Sequence, residues 1–212
     1  MTSRRQFLKT TSVGLAVTSG FGDLLLRADA APTLAAGVEA PASGLAATRA
    51  VVAGPFYRSG APYRGKSTAP FERGTVLLLS GRVWSLASRK PIPGAVLDVW
   101  HVDVDGRYSD GETDFRNRAR LLTAEDGGYE VEAIHPVGYS PGGQGWRCAH
   151  LHFSVAAPGH KPLTSEMYFK GDPRQDSDFL FHPSLCVPVE RRSAGGHDYQ
   201  AAVFDVVLER AG

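Results

Sequence analysis

His150 and His152 stand two apart in His-Leu-His-Phe-Ser-Val. In an extended strand, residues i and i+2 share a face. Two imidazoles then project together, while Leu151, Phe153 and Val155 turn toward a core. That pair is a two-donor clamp for a metal ion; the plainer alternative is a polar outer face that happens to hold two histidines. Zinc or iron(II) would require a third histidine or a carboxylate. None sits at an obvious spacing, and Ser154 to Pro158 supply no glutamate of the cupin kind. Two tyrosines stand out instead. Tyr108 ends Trp-His-Val-Asp-Val-Asp-Gly-Arg-Tyr and Tyr139 ends Pro-Val-Gly-Tyr. A phenol, with a pKa near ~10, is no ligand at neutral pH unless a strongly Lewis-acidic ion holds it deprotonated, as such ions ionise bound water and thiols. Two phenolates with two neutral imidazoles favour iron(III) over softer or divalent ions.

These side chains need a frame. Thr75 to Trp84 is an apolar, β-branched run that reads as a strand, and Pro91-Ile92-Pro93-Gly94 marks a turn. Ala95 to Val102 is a second strand and Leu121 to Thr123 a short third. Asp126-Gly127-Gly128 is a tight turn before Tyr129 to Ile134, which alternates as a half-buried strand does. His150 to Val155, Leu163 to Phe169 and Ala202 to Leu208 complete the set. No helical periodicity exceeds a couple of turns. The reading is an all-β fold: an antiparallel β-sandwich of seven or eight strands with long active-site loops. Two loops, Val104 to Arg120 and His135 to Trp146, are long for a small sandwich and carry the two tyrosines.

The 212 residues, 42% of them hydrophobic, suffice for one domain with a core. A net charge of +1 points to neither nucleic acid nor an anionic membrane as a partner. Ser3-Arg4-Arg5-Gln6-Phe7-Leu8-Lys9 before a weakly apolar run from Val13 to Phe21 reads as a twin-arginine export signal, with Ala28-Asp29-Ala30 as a cleavage site. The run is too short and too rich in Gly, Ser and Thr for a stable membrane anchor. The expected organisation is a signal over 1–30, a mobile arm over 31–50 and the sandwich domain over 51–212. Export would place the protein in the periplasm or outside a bacterial cell. That pathway carries folded proteins, so a metal can be acquired first. Without residues 1–30 the chain has 19 basic and 20 acidic side chains, so the slight basicity belongs to the leader. Cys148 and Cys186 allow one disulfide or two free thiols, and their spacing does not decide.

Gly-Pro-Phe-Tyr from Gly54, Pro-Ile-Pro-Gly-Ala, Asp-x-Trp-His-x-Asp-x-x-Gly-x-Tyr, Pro-x-x-Tyr, Trp-Arg-x-Ala-His-x-His-Phe and Leu-Thr-x-x-x-Tyr-Phe occur in that order. From about Gly54 to Asp178 the chain resembles the intradiol ring-cleavage dioxygenases. Each motif alone is weak; the ordered set is specific. The resemblance implies a non-haem Fe(3+) held by Tyr108, Tyr139, His150 and His152, and a catechol-type diol and O2 as substrates. It implies that Tyr139 leaves the metal when the diol binds and takes up a proton, and that Arg147 is the active-site arginine, stabilising charge that develops on the ring. It needs no organic cofactor, and it is compatible with a homo-oligomer without requiring one.

The chain departs from that pattern at Cys148, where relatives usually have a proline whose loss would loosen Arg147. It departs again at Glu166, where relatives often have glutamine; a carboxylate there would pair with Arg147 and mute its charge. Ser140-Pro141 after Tyr139 suggests a more open pocket. Tyr57, Trp146 and Glu166 are the candidate substrate contacts. His101 reads as structural, and His135, His160, His182 and His197 as surface or loop residues. Two other readings compete: a transthyretin-like or carbohydrate-binding sandwich without catalysis, and a zinc hydrolase built on His150 and His152.

Overall fold

The computed structural model describes residues 44–143 and 145–212. The expected export signal and residues 31–43 of the expected arm lie outside them. Strand β1, Val76–Ser85, buries Leu77, Leu79 and Val83 on one face by alternation, and at its end Trp84 and Ser85 are buried as well. It is followed by β2 (Val96–Trp100), β3 (Arg118–Leu122), β4 (Gly128–Ile134), β5 (His150–Ala156), β6 (Leu163–Phe169), β7 (Cys186–Val187), β8 (Glu190–Ala194), β9 (His197–Val203) and β10 (Val206–Leu208).

One sheet places β1 beside β4 on one flank and beside β9 and β10 on the other, with β8 outside β9. The second sheet has the order β3-β2-β5-β6-β7. Their inner faces share one core, in which Leu77, Leu79 and Val131 meet Leu97, Leu151, Phe153 and Met167. Each such side chain contributes about 1.5–3 kcal/mol by leaving water. Phe153 of one sheet reaches Tyr129 and Phe204 of the other, with ring centroids 6.4 and 5.3 Å apart.

The sandwich reading holds, with corrections. The sheets are mixed: β1 runs parallel to β9 and β10, and β6 parallel to β7. Ten strands occur among the described residues, against the seven or eight expected. The hairpin of β8 and β9 has a fully exposed first strand, so it shows no hydrophobic alternation. Its turn, Gly195-Gly196, has φ values of 57° and 79°, the left-handed pair that a two-residue hairpin needs. Strand β3 begins at Arg118, inside the loop expected to run to Arg120, because both arginines are paired. Arg120 makes two bonds to Asp98, and Arg118 bonds Ser109 and the Phe56 carbonyl. The last expected strand splits at Phe204-Asp205, where Asp205 Oδ1 accepts the Arg82 N–H at 2.8 Å.

The end of the expected mobile arm is tied down. Thr48 N–H donates to the Val207 carbonyl, its hydroxyl oxygen accepts the Val207 N–H, and the Arg49 carbonyl accepts the Ser165 hydroxyl.

Candidate metal centre

Strand β5 lies at the centre of its sheet, the position of least freedom. Its register decides who neighbours the histidines. Across β2, β5 and β6, Trp100, His152 and Glu166 form one row, and His150 stands opposite Tyr168. Trp100 stacks on His152 with centroids 4.7 Å apart and planes within 3°. Both histidines project away from Leu151 and Phe153 as strand geometry requires, yet the face is not an outer one: His150 and His152 are 2% and 3% exposed. The two long loops cover it.

Tyr108 comes from the loop between β2 and β3. Arg118 pins this loop through Ser109 Oγ at 3.1 Å, and Arg58 pins it through the Ser109 and Asp114 carbonyls at 2.6 and 2.7 Å. Phe56 stacks on the Tyr108 ring, centroids 4.3 Å apart. Tyr139 comes from the loop between β4 and β5, where its N–H and carbonyl exchange bonds with Arg147 at 2.9 and 2.8 Å. This bridge explains Gly138: a Cβ there would stand 2.9 Å from the Arg147 carbonyl oxygen and 2.8 Å from the Trp146 ring.

Four donor atoms converge. Tyr108 Oη lies 2.8 Å from His152 Nε2 and 3.2 Å from Tyr139 Oη, and the two histidine Nε2 atoms are 3.2 Å apart. His150 Nδ1 meets the Cys148 carbonyl at 2.6 Å. A carbonyl only accepts, so the ring proton sits on Nδ1 and Nε2 keeps its lone pair for a metal. Burial lowers the pKa of both imidazoles, well below the usual value for His152, and so keeps them neutral. Burial likewise raises both phenols, Tyr108 well above the usual value. Unaided, the tyrosines therefore stay protonated. A trivalent cation reverses that preference, and the mixed phenol–imidazole set suits iron(III).

Arg147 is buried behind the donors. Its Nε bonds both Asp178 oxygens at 3.0 and 3.2 Å, and its Nη2 bonds Glu166 Oε2 at 2.5 Å and Tyr168 Oη at 3.0 Å. Burial alone would depress the guanidinium, but Glu166, then Tyr168 and Asp178, outweigh it and the net pKa is raised. Burial, reinforced by Glu166, pushes the Tyr168 phenol up. Glu166 does pair with Arg147, as the residue types suggested. The Cys148 N–H, absent in a proline, is taken up by Asp178 at 2.8 Å, so the expected loosening of Arg147 does not occur.

An open cleft of about 380 Å³ lies over His152, Arg147 and Tyr139, rimmed by Val52, Phe56, Pro141 and Phe179. A second lobe of about 580 Å³ adjoins it along Tyr108 and Arg107. The three candidate substrate contacts lie elsewhere. Tyr57 packs on Trp100 and donates to Asp98 at 2.9 Å; its neighbour Phe56 takes the pocket position. Trp146 carries the Arg174 guanidinium 4.1 Å above its ring, outside the cleft lining. Glu166 is 0% exposed, next to His152. It is also the third potential donor, a carboxylate, that no sequence spacing revealed: strand pairing brings it within 4.8 Å of the histidine nitrogens. Asp178 and Tyr168 were missed as Arg147 partners. Tyr168 had a signal, standing two residues after Glu166 on one strand; Asp178, in a loop, had none.

His101 is structural, bonded to Ser67 Oγ at 3.0 Å and the Val102 carbonyl at 2.8 Å. His135 is not a simple surface residue: its Nδ1 meets Gln200 at 2.6 Å, and its ring packs 4.0 Å from that of Phe169. Both cysteines are free thiols, and burial pushes Cys148 up to about 12.

This fold and donor set define an all-β protein with a buried cradle of two phenols and two imidazoles beneath an open cleft. Residues 52–210 match the dioxygenase family model. The chain is 36% identical over 187 residues to the chlorocatechol 1,2-dioxygenase of Rhodococcus opacus, covering 76% of this chain and 72% of that one. It is 35% identical over 193 residues to the hydroxyquinol 1,2-dioxygenase of Nocardioides simplex, covering 78% and 66%. The solved dioxygenase domain of a dioxygenase carbohydrate-binding fusion protein from Streptomyces sp. SirexAA-E matches with a TM-score of 0.66 at 35% identity, covering 78% of this chain and 100% of that one. The chain belongs to the intradiol ring-cleavage dioxygenase family. It spans between 50% and 75% of the length of the curated relatives it matches.

Proposed function

We propose that the protein cleaves catechol-type diols between their two hydroxyls, inserting both atoms of O2 to give muconate-type diacids, with a non-haem iron(III). The observation that carries this reading is the convergence of Tyr139 Oη, Tyr108 Oη and the Nε2 atoms of His152 and His150, each within hydrogen-bond distance of the next. A binding module needs no such buried cluster, and a zinc hydrolase needs no phenols.

Tyr108, Tyr139, His150 and His152 would hold the ion. When bound, iron(III) would supply a Lewis acid for the diol to chelate, which activates its ring toward O2. Tyr139 borders both the cleft and its adjoining lobe; it would be the donor able to give way to the diol, and its Oη would receive a proton from a substrate hydroxyl. Tyr108, under Phe56, keeps its place. Arg147 faces the same cleft, its guanidinium held in one orientation by Asp178 and Glu166, so that it meets the ring without reorganisation while those carboxylates offset part of its charge. The leader motif supports export of the folded protein to the periplasm or beyond.

The test is the visible spectrum of the iron-loaded protein with metal analysis, before and after adding catechol. A broad tyrosinate-to-iron(III) band that shifts with catechol is expected. A protein that stays colourless after iron reconstitution refutes the reading.

A further inference from the structure

The two carboxylate oxygens of Glu166 face different neighbours. Oε2 receives Arg147 Nη2 at 2.5 Å and the Tyr168 hydroxyl. Oε1 faces His152 Nδ1 at 3.3 Å. Both of these atoms are buried, and neither makes a hydrogen bond in this structure; they face each other in close contact without hydrogen-bond alignment. Two orphaned polar atoms buried face to face are costly unless they serve each other. His152 Nε2 is committed to the donor cluster, 2.8 Å from Tyr108 Oη and 3.2 Å from His150 Nε2. A neutral ring that offers a lone pair at Nε2 carries its proton on Nδ1, the atom nearest Glu166. The two histidines are therefore unequal. His150 gives its Nδ1 proton to a neutral backbone carbonyl, whereas His152 Nδ1 faces a carboxylate oxygen, which stands farther, 4.0 Å, from His150 Nε2.

We infer that Glu166 is a positioning residue for His152, forming a carboxylate–imidazole–metal relay that fixes the ring and makes His152 the stronger imidazole donor to the ion. This rests on the ferric reading of the site. A carbonyl or carboxylate behind a metal-bound histidine sets its tautomer and raises its basicity, and loss of such a partner weakens metal affinity by about 10–100-fold. Glutamine, often present here in relatives, would accept the same bond without the charge. The departure at 166 therefore acts on the metal as well as on Arg147.

The experiment uses the full chain loaded with iron(III) and reads its affinity, by chelator competition, and the energy of its charge-transfer band. Glu166→Gln is expected to weaken affinity by about tenfold or more and to move the band to longer wavelength, because weaker donation leaves the ion more Lewis acidic. Wild-type affinity and band position in this variant overturn the inference. Asp178→Asn removes the other carboxylate from Arg147 while leaving the Glu166–His152 contact. It is expected to shift neither quantity as far; an effect equal to that of Glu166→Gln traces to charge at Arg147 and also overturns it. Should Glu166→Gln fail to fold, Glu166→Asp keeps the charge but withdraws it by one methylene. Weaker iron binding is expected there, and undiminished binding contradicts the relay. A wild-type protein that never develops the band removes the ferric reading itself, which differs from a band that is present and indifferent to residue 166.

Discussion

Cys148 and Asp178 are joined through the backbone: the Cys148 N–H donates to Asp178 Oδ2 at 2.8 Å. The same carboxylate holds Arg147 Nε, and its Oδ1 takes the Leu180 N–H at 2.9 Å. Asp178 thus orients Arg147 from a loop that its own bonds keep in shape. The departure from proline supplies one of those bonds.

Restoring the proline tests this. Cys148→Pro removes a donor to a buried carboxylate and is expected to lower unfolding free energy by about 1–3 kcal/mol, read by urea denaturation. Unchanged stability would mean that Asp178 finds another donor.

The two tyrosines are expected to differ. Tyr139→Phe should retain iron but turn over about 100-fold more slowly or worse, the range for a lost proton acceptor. Tyr108→Phe removes the hydroxyl nearest His152 and should weaken iron retention itself. Metal content and single-turnover rates separate the two; equal rates for Tyr139→Phe and wild type would exclude Tyr139 as the base.

Gly81 sits where β1 meets the break between β9 and β10. A Cβ there would overlap the Phe204 carbonyl, which also accepts the Tyr129 hydroxyl at 2.5 Å. Gly81→Ala is expected to cost about 3 kcal/mol by forcing that junction apart. A melting temperature equal to that of wild type would show that the junction gives freely.

His101 sets an acid limit. Burial lowers its pKa to about 4, so the unfolded chain, titrating near ~6.5, takes up the proton first. The stability it supports is complete above pH ~6.5 and is lost as pH falls to 4, by at most about 3 kcal/mol. In metal-free protein, His101→Asn should flatten the fall in stability over that range. His150 and His152, also held neutral, keep some slope. An unchanged profile would mean that His101 is not held neutral by the fold.

The strands were legible where burial is one-sided. Leu77 and Leu79 alternate with less buried neighbours, and Leu151 and Phe153 alternate with the polar histidines, because one face meets the apolar core and the other does not. Strand β8 has no buried side and left no such mark. The four converging side chains were legible because strand periodicity pairs the histidines and the tyrosines sit in loops too long to be idle. What surrounds them was less so. Tyr57 and Phe56 are adjacent, and which one faces the cleft depends on Asp98 and Trp100, which bond and pack Tyr57 from another strand. Glu166 reaches His152 only through the pairing of β6 with β5, a relation between distant segments that local spacing does not express.

The donors have one more property. Tyr139 follows β4 of one sheet and is already bridged to Arg147, just ahead of the strand of the other sheet that carries His150 and His152. An ion gripped by all of them would add a rivet where the two layers already meet. Sliding of one layer over the other would then require a metal bond to break, and chelation of the ion would remove a clasp on the whole sandwich as well as its reactivity.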